Sequence, residues 1–117
     1  MGNTRDAIMR GDRGAVDAAE VDQLKTAEPA FINAVLKDGT GEGLRLAVEL
    51  GFDVNAMDSY TPLHHAAAAD DVSTIEFLLA HGAAASLVVK DDEYDATPAG
   101  WAKFFDAKDA EAFLEGK

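Results

Sequence analysis

The sequence predicts an all-α fold: a short solenoid of about four stacked helix pairs joined by hairpin-like loops. Three observations carry this expectation. "TPLHHAAA" at Thr61 returns as "TPAGWAKF" at Thr97, thirty-six positions on, and Phe77-Leu78 return as Phe113-Leu114 at the same spacing. Self-similarity at such a period is the mark of stacked repeats. Apolar residues recur at helical spacing, as Val72, Ile75, Leu78 and Leu79 do. The helix opening at Thr61 is rich in alanine, which lets neighbouring helices approach closely, so thin units can stack.

The elements follow in order as one domain, 1–117, of four units. The first unit, about 4–27, is degenerate: Ala7, Ile8 and Met9 form an inner helix, Gly11 a turn, and Ala15, Val16, Ala18 and Ala19 an outer helix. The second, about 28–58, is also degenerate. Ala34, Val35 and Leu36 stand on its inner helix, and Leu44, Leu46, Ala47 and Leu50 on its outer one. The glycines of "DGTGEGL" between them read as a permissive turn. No Gly-Lys-Ser/Thr follows them, so they are not a phosphate loop.

The third unit, 59–91, is the clearest. Thr61 is a good N-cap and Pro62 a good first helical residue. Asp70-Asp71 break the alanine run, a second apolar helix follows, and Gly82 supplies a left-handed stop. The fourth unit, 92–117, repeats this from Thr97-Pro98, with Phe113, like Phe77, in the core. Lys108, Glu111 and Glu115 can cover its outward face, as an end unit requires.

These features resemble the ankyrin repeat, strongly over about 44–115: "TPLHHAAA", the two-helix unit, "GFDVNAMD" and a period near that of the family. "DDEYDATPAGWAKFF" is similar to terminal repeats common in bacterial members, where Trp follows the Thr-Pro motif, and this suggests a bacterial origin. The resemblance implies framework roles for Thr61, Pro62, Leu63, His64, Gly82, Thr97 and Pro98, with His64 tying neighbouring repeats by hydrogen bonds. It also implies a non-catalytic protein-binding module that touches partners through loop tips and the concave inner-helix face. Two loops depart from the family pattern. The tip between Asp58 and Thr61 is clipped, and the stretch "AAASLVV" after Gly82 is lengthened, changes that loops tolerate at small cost.

Composition narrows the function classes. The chain has 117 residues and a net charge of −12, from 22 acidic against 10 basic residues. Leu46 to Val89 contains no Lys or Arg, but holds Glu49, Asp53, Asp58, Asp70, Asp71 and Glu76. Such a field repels phosphate backbones, so nucleic acid is an unfavourable partner, while a basic protein is steered toward it. Cysteine is absent, which excludes disulfides and thiolate metal sites. No apolar run has the length of a membrane span. The start "MGNTRDAIMRGDRG" has no secretory h-region, and Asp6 stands where acylation of Gly2 would want Ser or Thr. A cytoplasmic monomer without cofactor is the expectation.

Candidate contact residues are Ser59, Tyr60, His65, Ala68, Ala69, Tyr94, Trp101, Phe104 and Phe105. Trp101, Phe104 and Phe105 share one short helix and cannot all face inward. They form either an anchor patch, the sort interfaces use, or a seal over the end of the core. On the patch reading, Trp101→Ala or Tyr60→Ala weakens binding and leaves the thermal melt nearly unchanged. The acidic loop "KDDEYD", Lys90 to Asp95, lacks the ligand order of a calcium loop and reads as a solvated tip. A metal-dependent enzyme built on His64, His65, Asp70 and Asp71 is the competing class. Adjacent helical histidines diverge by about 100°, which is poor chelating geometry. A narrower version of the binding class is an inhibitor or immunity-type protein that masks a basic partner such as a nuclease toxin.

Overall fold

The computed structural model describes residues 3–117, with Asn3 described in its backbone only; the Gly2 acylation question lies outside them. Every regular element among the described residues is helical. The chain divides into two compact units, Met1–Ala56 and Met57–Lys117.

The first unit comprises α1 (Asn3–Arg10), α2 (Ala18–Ala27), α3 (Phe31–Asp38) and α4 (Gly41–Glu49), with a 3-10 turn at Arg13–Ala15. Ala7 and Ile8 of α1 are buried, and Gly11 turns the chain at φ +76°. The outer helix expected over 15–19 starts later. Val16 is extended and Asp17 caps α2, its carboxylate accepting the Glu20 N–H at 3.0 Å. The cause is the buried Thr4, whose hydroxyl accepts the Asp17 N–H at 3.1 Å and donates to Glu20, holding residue 17 against α1. In α3 the buried face is Phe31, Ile32, Asn33 and Val35, whereas Ala34 and Leu36 are only half-buried. Phe31 packs against Phe52 with centroids 4.9 Å apart.

Two of the glycines of "DGTGEGL", Gly39 and Gly43, serve close packing. α4 packs against both α1 and α3. Its cap Thr40 donates to the Met9 carbonyl from both its N–H, at 3.0 Å, and its hydroxyl, at 3.1 Å. Gly43 then lies so near the end of α1 that a Cβ there would stand 2.2 Å from the Met9 oxygen. A permissive turn was the expectation; a steric requirement is the finding.

The second unit comprises α5 (Pro62–Ala68), α6 (Val72–Ala80), α7 (Pro98–Phe104) and α8 (Lys108–Glu115). The lengthened stretch after Gly82 folds as a 3-10 helix, Ala83–Val88, with Ala83 and Ser86 buried. α5 packs on its own partner α6 and side by side with α7, while α7 packs on α8. The core is Leu63, Ala66, Ala67, Ile75, Leu78, Ala102, Ala110 and Leu114. Phe77 and Phe113 were expected in it and are half-buried instead. Phe77 meets the His81 ring at 4.4 Å, and Phe113 lies under the Lys117 ammonium at 4.6 Å.

Four helices end alike. After α1, α4, α5 and α7 a left-handed residue follows the cap (Gly11, Gly51, Asp70, Asp106), and the next N–H bonds back to an alanine carbonyl. Those alanines are Ala7, Ala47, Ala66 and Ala102, all buried. This six-to-one bond satisfies a carbonyl the helix end would orphan. Glycine takes positive φ freely, and Asp tolerates it better than most residues. At Asp70 the side chain has a further use. Its carboxylate accepts the Ala110 N–H at 2.8 Å and so caps α8, whose own cap, Ala107, has no polar side chain.

Candidate functional site, an aromatic face on the second unit

The site is built outward from Thr61. Its hydroxyl caps α5, accepting the His64 N–H at 3.4 Å, and His64 answers by accepting the Thr61 N–H on Nδ1 at 3.2 Å. This is a reciprocal capping box. The fully buried ring then reaches the Ala96 carbonyl with Nε2 at 2.7 Å. A carbonyl only accepts, so Nε2 carries the proton and Nδ1 is free to accept from the Thr61 hydroxyl at 2.8 Å. Both ring nitrogens are thereby engaged, and His64 joins the start of α5 to the loop before α7.

Burial pushes the His64 pKa below its ordinary 6.5, against the opposing pull of the Ala96 bond and the Asp91 charge. A depressed histidine binds its proton in the unfolded chain before it does in the folded one. Stability is therefore whole above pH 6.5 and falls as pH drops below it, by at most about 1.4 kcal/mol per pH unit for one proton. Thermal melts of wild type and His64→Gln between pH 7 and pH 5 measure this; the loss specific to His64 disappears in the variant. Parallel profiles would show that the ring carries no such penalty.

Asp91 is the residue that sequence reasoning missed. It was grouped with the solvated acids of its loop, yet it is buried at 4% exposure. One carboxylate oxygen accepts the Ala96 N–H at 2.9 Å and the Trp101 indole Nε1–H at 2.8 Å. The other accepts the N–H groups of Glu93 at 3.0 Å and Tyr94 at 2.7 Å. Its own N–H donates to the Ala96 carbonyl at 3.0 Å. Burial by itself would raise the Asp91 pKa, but the bonds from Tyr94, Trp101, Ala96 and Glu93 outweigh it and hold the carboxyl well below the usual carboxylate range. Four N–H groups aimed at one carboxylate leave no room for a cation on it. The loop is folded around an anion of its own.

This hub positions the aromatic residues. Trp101 is half-buried, held by Asp91 and packed edge-on to His64 at 5.0 Å. Tyr60 lies 5.2 Å from Trp101 and stacks toward His65 at 6.3 Å. Beyond Trp101 the rings emerge into solvent: Tyr94 is 57% exposed, Phe105 47% and Phe104 73%. A hollow of about 290 Å³ opens among Tyr94, Ala96, Trp101, Phe104 and Phe105. The two loop tips meet alongside, where the Ser59 carbonyl accepts the Asp92 N–H at 2.9 Å. Ala68 is half-buried and Ala69, the α5 cap, exposed.

Phe104 and Phe105 are largely exposed to solvent, and one expectation changes. Trp101 carries structure as well as surface, so its removal disturbs the Asp91 hub and is no clean probe of binding.

The competing metal site does not assemble. His64 has both nitrogens bonded within the protein, and Asp70 caps α8. Asp71 caps α6 through Thr74, whose N–H and hydroxyl it accepts at 3.1 and 2.6 Å. Among the described residues no group of three or more His, Asp or Glu side chains is placed to hold an ion, and no helix is long and apolar enough to cross a membrane.

Residues 29–79 match the family model for ankyrin repeats in many copies. Over that stretch the chain is similar to ankyrin repeats. No curated protein matches it. The match takes in α3, α4, α5 and nearly all of α6, so it includes one of the degenerate pairs as well as the clearest one. Ankyrin repeats generally mediate protein–protein interaction. In the second unit α5 and α7 lie side by side, each opened by Thr-Pro.

Proposed function

We propose that this protein is a non-catalytic binding module whose partner docks on the aromatic face of the second unit. The observation that carries the reading is the exposure of Tyr94, Phe104 and Phe105 around one hollow, with Tyr60 and Trp101 behind them. Large aromatic rings left in water at one place mark an interaction surface more strongly than scattered apolar residues do. Trp and Tyr are also the side chains that dominate binding energy at interfaces. Ser59, His65, Ala68 and Ala69 extend the face along α5 and its loop. The rim carries the exposed carboxylates of Asp58, Asp92, Glu93 and Asp95, which favour a basic partner and raise its rate of encounter.

The test is affinity capture followed by titration of the partner so identified, at low and high salt. Phe104→Ala and Phe105→Ala each remove an exposed ring of the face. Each is expected to weaken binding by roughly 1–3 kcal/mol, about five- to 150-fold, with the thermal melt little changed. Equal binding by wild type and both variants would place the partner surface elsewhere. A narrower form of the reading is an inhibitor or immunity-type protein masking a basic partner such as a nuclease toxin. Its support is the size of the chain and its net charge of −12.

A further inference from the structure

The four outer rings of the aromatic face close on one another. Tyr94 meets Trp101 at 6.2 Å, Trp101 meets Phe105 at 5.8 Å, Phe105 meets Phe104 at 5.1 Å, and Phe104 returns to Tyr94 at 6.0 Å. Their planes are turned by 72°, 55°, 87° and 24° in the same order. Rings inclined in this way stand as walls. The enclosed hollow, about 290 Å³, lies at the lower edge of the roughly 300–1,000 Å³ usual for small-molecule pockets. It has room for one long side chain.

Charge decides which side chain. The buried Asp91 carboxylate sits behind the hollow, bonded to the Trp101 indole and to the Tyr94 backbone. Asp92, Glu93 and Asp95, exposed, flank Tyr94 in the same loop. The nearest cation in sequence, Lys103, is two residues from Trp101 and so about 200° round α7 from it. Aromatic faces attract cations, and do so more strongly when the site is desolvated. An apolar side chain would gain the ring contacts alone, whereas a cation gains the rings together with the attraction of the exposed loop carboxylates.

We infer that the hollow formed by Tyr94, Trp101, Phe104 and Phe105 receives an arginine side chain from a basic segment of the protein partner. This rests on reading the aromatic face as a protein-binding surface, and it assigns that surface its central contact. Arginine fits better than lysine. Its guanidinium is planar, stacks on rings, is weakly hydrated, and carries N–H groups along its edge that reach outward to carboxylates.

Trp101 is the chain's single tryptophan, so its fluorescence reports the hollow directly. The experiment titrates the full chain with three acetylated, amidated Gly/Ser hexapeptides carrying two arginines, two lysines or two citrullines. Citrulline keeps the shape of arginine without the charge. The expected result is a saturable change with the arginine peptide, binding at least tenfold weaker with citrulline, and weaker binding with lysine. Phe104→Ala is expected to weaken the arginine peptide at least tenfold, and added salt to weaken it further. Equal binding of the citrulline peptide overturns the inference, since the hollow would then take an uncharged side chain. A lysine peptide at least as tight as arginine overturns it too. If no peptide binds, the inference falls, while partner capture by wild type and Phe104→Ala still decides the protein-binding reading on its own.

Discussion

Replacing Gly43 by alanine is expected to destabilise the first unit by on the order of 3 kcal/mol. In an ordinary helix the same change stabilises by about 1 kcal/mol, because alanine is the better helix former. Gly43 lies within α4, yet a Cβ there meets the Met9 oxygen at 2.2 Å and the Ile8 oxygen at 2.7 Å. Both are backbone atoms of α1 and cannot rotate away. Either α4 must withdraw or α1 must shift, and withdrawal pulls Thr40 from the Met9 carbonyl it bonds twice. Overpacking of this kind costs typically 1–3 kcal/mol, and here no flexible neighbour relieves it. Gly41 is the internal control. Nothing lies within 4 Å of a Cβ at that position, so Gly41→Ala is expected to be neutral or to gain up to about 1 kcal/mol. Urea denaturation followed by far-UV circular dichroism reads both. If Gly43→Ala were as well tolerated as Gly41→Ala, the close approach of α4 to α1 would be wrong.

Substituting Asp91 is expected to have the largest effect on the second unit. Asp91→Ala abandons the N–H groups of Glu93, Tyr94 and Ala96 and the indole of Trp101 at once. Buried donors left without an acceptor are costly, more so when the lost acceptor was charged. The melting temperature is expected to fall by on the order of 10 °C. Asp91→Asn is expected to fail nearly as badly, despite its matching shape. Each carboxylate oxygen faces two N–H donors, so an amide NH2 in either place points donors at donors. In both variants the Trp101 emission shifts as the ring loosens, and binding at the aromatic face is lost with it.

The acid profile supplies a second signature of the same residue. A carboxyl held below its ordinary 3.8 in the folded state binds its proton first in the unfolded chain. Its contribution is therefore complete above pH 3.8 and declines as the medium is acidified through and below that value. Wild type is expected to lose stability relative to Asp91→Asn over that range. A constant difference between the two down to pH 2 would mean that the carboxyl titrates alike in the folded and unfolded chain, so that the four N–H groups do not hold its pKa down.

Much of the local structure was legible in the sequence. Thr-Pro pairs mark where α5 and α7 begin, because Thr caps and Pro is preset for the first helical turn. Gly82 marks the end of α6 with φ +103°, and the apolar spacing of Ile75 and Leu78 marks its buried side. These signals are short-range, and each depends on residues within a turn or two of one another. The aromatic candidates were legible for a related reason: two large rings on one seven-residue helix and a third at its cap cannot all be buried.

The assignments that failed are those in which the contact that decides a residue's role is made only on folding. Asp70 reads as a helix breaker, but it caps α8 from forty residues away. Asp91 reads as one acid among several in its loop. Its burial follows from Trp101, ten residues on, and from a fold that turns three backbone N–H groups inward. The glycines of "DGTGEGL" read as flexibility because the sequence does not show that the end of α1 lies against them. Phe77 and Phe113 occupy repeat positions that suggest core, but their neighbours leave them half-exposed.

By itself, then, the sequence determined the helix pairs, their caps, the alanine-rich faces that let units stack, and the acidic character of the surface. All of these follow from backbone preference, periodicity and charge, which are local or additive properties. The tertiary structure alone decided which polar groups became buried, which glycines became indispensable, and which rings came to surround one hollow. Those depend on what a side chain meets after folding, and a meeting across thirty or forty residues leaves no local trace in the chain.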